Sequence, residues 1–207
     1  MNQTVVIILL AVAALFLLFQ LYNVLGKKVG RQPEDDRPAT PQGAPAPTPA
    51  EALAAAHGLD AEAARGVAAL KARDPQFDVT RFLDGARQAY ETIVRAYAAG
   101  DVETLRPLLS ERVLALFEAG IQERSASGAQ ESVEFVHPPR ADIDHAEVTG
   151  DMAQVRVRFL AELLDKRIES SGETTTERRT AELWTFERRL GVADPNWRLT
   201  RTEPATA

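Results

Sequence analysis

From Val5 to Leu25 the chain carries no formal charge, and almost every residue in that run is apolar. A helix of this length reaches roughly 31 Å, about the thickness of a bilayer's hydrocarbon core. Val5, Ile8, Leu15, Phe19 and Leu25 belong to a run that is apolar all round, so the helix has no polar face to turn toward water. An all-round apolar helix belongs in lipid rather than at the edge of a small core. Gln20, Tyr22 and Asn23 cluster near one end, where headgroups tolerate amides and favour aromatic rings. The run is therefore read as one membrane-spanning helix.

A cleaved signal peptide is the alternative, and three features oppose it. The first four residues, Met1 to Thr4, include no Lys or Arg, the apolar run is too long, and Leu25-Gly26-Lys27 is a poor cleavage site. Lys27, Lys28 and Arg31 follow the span, while nothing basic precedes it. Basic flanks stay cytoplasmic, so the N-terminus is expected outside and everything after the span inside. The same trio is placed to touch anionic lipid heads, although solvated flanking charges are the plainer account.

Six of the 12 prolines lie between Pro33 and Pro49, amid Ala, Gly, Thr and Gln. Proline fixes φ and removes a donor, so this stretch reads as an extended spacer. The expected organisation is an anchor over 1–30, a Pro/Ala-rich linker over 31–52, an Ala-rich helical segment over 53–75 and a folded domain over 76–203. In the helical segment Leu59, Ala63, Val67 and Leu70 share one side of a helix from Asp60 to Arg73. That face is weakly apolar, and a short helix packed on the domain is the expectation.

The domain opens with a strong helical period. Starting at Val79, apolar residues recur at Phe82, Leu83, Ala86, Tyr90, Ile93, Val94 and Tyr97, which trace one helical face. Asp78 is the expected N-cap, Phe77 closes on Phe82, and Gly100 suits the C-terminal end. A short helix from Asp101 and a third after Ser110 follow, the latter burying Val113, Leu114, Phe117 and Ile121. Ser125 to Gln130 reads as a polar break.

The period then falls from 3.6 to 2. Val155, Val157 and Phe159 alternate with Arg156 and Arg158, as on a strand with one buried face. Gly150-Asp151 is an expected hairpin turn, Ser170 to Thr176 a polar loop, and Gly191 to Asn196 the turn into Trp197-Arg198-Leu199. Helices followed by a four-stranded antiparallel meander make an α+β fold. A bent sheet with helices on one face would enclose a cone-shaped apolar interior.

Function classes narrow by exclusion. A net charge of −6 disfavours nucleic acid as a partner. The absence of cysteine removes disulfides, thiolate metal ligands and a thiol nucleophile. His57, His137 and His145 are scattered, so neither a metal centre nor a cofactor is expected. Ile143-Asp144-His145 invites an acid–base reading, but neighbours on a strand point to opposite faces and no third group orients them. Asp142 and Asp144 read as edge-strand charges. Trp184, Phe186 and Trp197, with Phe82, Tyr90, Phe117 and Phe159, form the expected apolar core or pocket lining. Arg156, Arg158, Arg178, Arg179, Arg188 and Arg189 put basic side chains on the strands, either as a solvated face or as a contact for acidic lipid. No catalytic residue is assigned, and the chain is not expected to be an enzyme.

The order Phe77-Asp78, Phe82-Leu83-Asp84-Gly85-Ala86, Ala99-Gly100-Asp101, Leu105 and Leu108-Leu109-Ser110 resembles the C-terminal domain of subunit 44 of the translocase of the inner mitochondrial membrane. Trp184-Thr185-Phe186-Glu187-Arg188 and Asp194-Pro195-Asn196-Trp197-Arg198-Leu199 resemble that family's closing hairpin. The resemblance covers about residues 76 to 203 and implies a nuclear transport factor 2-like cone with a large apolar pocket. It further implies a scaffold that works at membranes and touches acidic lipid peripherally. The family's charged, chaperone-recruiting N-terminal region is missing here, so motor recruitment does not carry over. Bacterial homologues with an anchor are the nearer likeness, which points to an inner-membrane adaptor for a protein partner. An enzyme or small-molecule binder using the pocket, and a secretion-system assembly component with its domain outside, are the alternatives.

Overall fold

The computed structural model describes residues 46–205 except 127, 129, 170 and 171. The Val5–Leu25 run, the Lys27, Lys28 and Arg31 flank, and the linker as far as residue 45 lie outside the described residues. Among the described residues no helix is long and apolar enough to cross a membrane.

Helix α1 (Pro49–His57) begins inside the stretch expected to be linker. Thr48 caps it, with the Glu51 carboxylate reaching back to the Thr48 N–H at 2.7 Å. Proline at the first helical position loses no hydrogen bond, so Pro49 starts a helix here instead of preventing one. Asp60 caps α2 (Ala61–Arg73) through the N–H groups of Glu62 and Ala63. The weak apolar face of α2 is fully used, with Ala63, Ala64, Val67 and Leu70 all buried.

Helix α3 (Val79–Ala99) is capped by Asp78, which accepts from the Arg81 N–H at 2.8 Å. That bond holds the Asp78 carboxyl below its ordinary range. The helix ends at Gly100, whose φ of +74° is the left-handed conformation that glycine adopts without strain. Helix α4 (Val102–Leu105) and helix α5 (Glu111–Ala126) follow. Phe117 of α5 is half-buried against Tyr97 of α3, ring centroids 4.8 Å apart.

Five strands form the sheet where four were expected: β1 (Gln130–Phe135), β2 (Arg140–Thr149), β3 (Met152–Glu169), β4 (Gly172–Arg189) and β5 (Arg198–Pro204). Strand β3 is central, pairing antiparallel with β4 along its whole length and with both β1 and β2 on its other side. The expected loop over Ser170 to Thr176 is mostly strand, because Gly172 to Thr176 pair with β3. Both faces of that segment are exposed, so its side chains carry no alternation to betray it.

The buried face of the sheet follows the two-residue period: Val155, Val157 and Phe159 from β3, and Trp184 and Phe186 from β4. One departure matters. Strand β2 bulges at Asp144, the residue skipped between the Ile143–Val157 and His145–Arg156 pairs. The extra residue puts Asp144 and His145 on the outer side together, against the opposite-face expectation. They turn to different partners. Asp144 accepts from Arg156 Nε at 2.6 Å and from Arg158 at 3.2 Å, while His145 Nδ1 lies 3.4 Å from Glu62 of α2. Asp142 is held by Arg140 at 2.9 Å and is exposed, as an edge charge should be.

Helix α2 lies directly on the backbone of β2. A Cβ added to Gly66 would sit 1.8 Å from the Ala146 carbonyl oxygen, whereas one added to Gly85 in α3 would meet nothing within 4 Å. Gly66→Ala is therefore expected to cost about 3 kcal/mol or more, because a backbone atom cannot step aside as a side chain can. Gly85→Ala is expected to gain up to about 1 kcal/mol from helix propensity alone. Thermal melts of the two variants check the contrast, and equal melts would refute the close approach.

Asp144 supplies a pH signature. Burial alone would raise its carboxyl, but hydrogen bonds and charge from Arg156 and Arg158 hold it below its ordinary value. A carboxyl depressed in the folded state stabilises fully above its unfolded pKa and loses that contribution as pH falls through the folded one. Asp144→Asn should then cost about 0.5–1 kcal/mol at pH 7, given the partly exposed arginines, and the gap should close below roughly pH 4. Urea melts at both pH values measure it.

Candidate functional site

The interior between the helices and the sheet is filled by rings. Tyr90, fully buried on α3, stacks on Phe159 with centroids 4.4 Å apart and planes within 10°. Trp184 tilts against Tyr90 at 4.6 Å, and Phe186 meets Phe159 at 6.4 Å. Phe135 closes the other side of Tyr90 at 5.9 Å. The large open pocket implied by the resemblance is thus occupied at its centre by the protein's own aromatic side chains.

A few polar groups are threaded through this interior. The Tyr90 hydroxyl lies 3.1 Å from Thr180 Oγ1, and Trp184 Nε1 donates to Glu182 at 2.9 Å. Burial, reinforced by the Glu182 charge, pushes the Tyr90 phenol up to about 12. It stays protonated at any physiological pH, which suits a structural hydrogen bond and not a base.

Open space lies at one end of this core. A cleft of about 440 Å³ runs between the first turns of α3 and the loop joining β4 to β5. Its floor is apolar: Phe77, Phe82, Ala86, Phe186 and Trp197. Trp197 stands edge-on to both Phe82, at 5.0 Å, and Phe77, at 6.0 Å. The helix places Phe82 and Ala86 on one line because they are four residues apart. Trp197 is brought to them by the turn before β5, which Asn196 N–H ties to Asp194 at 3.0 Å.

The rim is polar. Arg188, at the end of β4, pairs with Asp74, the residue that ends α2. Its guanidinium also lies over the Trp197 ring, 4.9 Å from the centroid. Two of its contacts are therefore fixed, yet its Nε is buried and has no hydrogen-bond partner among the described residues. A buried unpaired donor is costly, and native structures rarely leave one without a use. The cleft thus presents an aromatic surface with a fixed guanidinium on its rim, an arrangement suited to binding a partly apolar group that carries an oxygen.

Of the residues singled out by sequence, Phe82, Phe186 and Trp197 line this cleft, while Tyr90, Phe159 and Trp184 fill the core behind it. Phe117 lies elsewhere, between α3 and α5. The strand arginines do not form a bare basic face. Arg156 and Arg158 are tied to Asp144, Arg178 to Asp165, Arg179 to Glu162 and Arg188 to Asp74. Asp74 carries no signal in the sequence, because the residue that gives it a role is Arg188, far along the chain. Among the described residues no group of His, Cys, Asp and Glu is arranged to hold a metal.

Comparison with known proteins adds a family. The Tim44-like domain matches residues 63–204, beginning on α2 rather than at residue 76. No curated protein matches the chain significantly. Similar solved structures include the intermembrane space region of the chloroplast protein ARC6, with TM-score 0.47, 14% identity, and coverage of 64% of this chain and 100% of that one. A putative dehydratase of the NTF2-like family from Streptomyces avermitilis follows with TM-score 0.36, 19% identity, and coverage of 61% and 97%. A de novo β-sheet design gives TM-score 0.30, 17% identity, and coverage of 61% and 89%. The assignment rests on the sequence match, which spans α2 to β5: the chain belongs to the Tim44-like domain family, whose setting is protein translocation at membranes.

Proposed function

We propose that this chain is a membrane-anchored adaptor whose domain binds a protein partner in the cleft between α3 and the β4–β5 loop. In this reading the Val5–Leu25 run spans a bacterial inner membrane with the N-terminus outside and the domain on the cytoplasmic side. The service rendered is to protein translocation or to assembly of a membrane complex. The observation that carries the reading is the cleft: an aromatic floor with the Arg188 guanidinium on its rim. A partner that lays an apolar side chain against Trp197 and offers a carbonyl or carboxylate oxygen to the Arg188 guanidinium would use both features.

The chemistry of the interior supports binding over turnover. Tyr90 is the buried titratable group there, and its hydroxyl is engaged by Thr180. The strand arginines support a protein partner over an acidic lipid surface, since five of the six are already paired with carboxylates. Paired charges project little field beyond the pair. An enzyme or small-molecule binder would need the cleft to hold a reacting group, and a secretion-system component would need the domain outside.

Two measurements test this. Tagged full-length chain purified from membranes should bring down a defined protein, and Trp197→Ala should reduce that recovery roughly tenfold or more, as loss of a central aromatic contact does. Recovery of nothing but the chain itself, or undiminished recovery by a folded W197A variant, would defeat the partner reading. A C-terminal reporter that matures only in the cytoplasm should be active. Activity only of an exported reporter would reverse the topology and favour the secretion-system alternative.

A further inference from the structure

The sheet is finished on one side and unfinished on the other. Strand β3 has neighbours on both sides for nearly its full length, β4 on one and β1 with β2 on the other. The outer side of β4 is covered by β5 only from Glu182 to Glu187, with one more bond from the Ala205 N–H to the Ala181 carbonyl at 2.9 Å. Gly172 to Thr180 is left as an edge with no strand beside it among the described residues, and all of it but Thr180 is exposed. Alternate N–H and C=O groups along such an edge point outward, ready to pair with another strand.

Proteins usually spoil an edge of this length with proline, charged side chains (lysine above all), a bulge or a covering helix. From Glu173 to Thr180 there is no proline, lysine or bulge, and the charges present, two Glu and two Arg, balance. The sequence there is Glu-Thr-Thr-Thr-Glu-Arg-Arg-Thr, and its register with β3 runs without a shift. Threonine favours the pleated state. The charges are opposite in sign at the two ends, which makes the edge complementary to its own reversed copy.

Symmetry sharpens this. A two-fold axis in an antiparallel ladder passes through a pair of opposed residues, so some residue must face itself across the axis. Centring on Thr175 sets Glu173 opposite Glu177, twice. Centring on Glu177, Arg178 or Arg179 sets a like charge against itself. Centring on Thr176 opposes Glu173 to Arg179 twice, Thr175 to Glu177 twice and Thr174 to Arg178 twice, with no like charges opposed. Opposed residues share a face, and direct like-charge opposition is destabilising while opposite charge is favourable. Arg179 is well placed to respond, since its side chain is 81% exposed even while it touches Glu162.

We propose that two copies of this chain pair antiparallel through the Gly172–Thr180 edge of β4, on a two-fold axis at Thr176, so that their sheets become continuous. The occupant of the edge is a second copy. The ladder is short, so the association is weak and concentration-dependent, in the class of small transient interfaces.

The chain has no cysteine, so one introduced thiol reports one position. Full-length T175C, T176C and E177C chains, in the membranes of cells that express them, are treated with mild oxidant or a short bis-thiol reagent. The T176C chain should form a dimer roughly tenfold faster than T175C or E177C alone, while T175C co-expressed with E177C should cross-link to each other. Adding E173R to T176C should abolish the cross-link by opposing Arg to Arg179, and adding R179E to that variant should restore it. Equal rates at all three positions, a maximum at another position, no dimer with either reagent, a T176C adduct containing a different protein, or failure of the double charge swap to restore the product would each overturn the proposal. Loss of the cleft partner in W197A leaves this readout untouched, so the two readings fail separately.

Discussion

Strand β3 is the member on which the rest of the domain depends. It supplies the buried row Ala153, Val155, Val157, Phe159 and Leu163, and it is hydrogen-bonded to three of the other four strands. Removing any other strand would leave a sheet, whereas without β3 both β1 and β2 lose the partner that holds them to the domain. Its length also sets the limit of the fold. β3 and β4 outrun β5, so the far end of the hairpin is held by β1 on one side and by nothing described on the other.

The two lateral edges are therefore treated differently. Near β2 the backbone is sealed by α2, which the small side chains Ala63, Ala64 and Gly66 allow to settle within contact of the strand. A larger residue at Gly66 would push the helix away and expose both the strand and the buried Val67 and Leu70. The β4 edge receives no such cover and carries threonine with balanced charge instead. A chain that hides one edge at the cost of a glycine inside a helix, about 1 kcal/mol in propensity, treats edge protection as worth paying for. The open edge is then a feature in its own right.

Much of this was legible in the sequence where periodicity reports burial. The face of α3 from Val79 to Tyr97 and the alternation from Ala153 to Phe159 both pack as their spacing requires, because each has one wet side and one dry side. Legibility failed where burial and spacing part company. Residues Gly172 to Thr176 are strand but wet on both sides, so they read as a loop. The bulge at Asp144 inserts one residue without altering composition, and only pairing to β3 exposes it. Pro49 looked like linker because proline is common there, although at the first turn it favours the helix. The Asp74–Arg188 pair joins the end of a helix to the end of a strand, and no local pattern announces a contact of that range.

The position of the cleft follows from the same packing. Tyr90, Phe159, Trp184 and Phe186 fill the centre of the interior with their own rings. Binding capacity is thereby displaced to the end of the core, where Phe82 and Trp197 are still in contact with the aromatic cluster but are reached from outside. Arg188 sits at that boundary with its guanidinium spread over Trp197 and one donor turned into protein without an acceptor. Asp74 fixes the guanidinium through a different nitrogen, so the orphan Nε cannot simply rotate out to water without breaking the ion pair. The arrangement holds a cation in place at the rim of an apolar floor, a combination matched by a group that brings an oxygen with something apolar beside it.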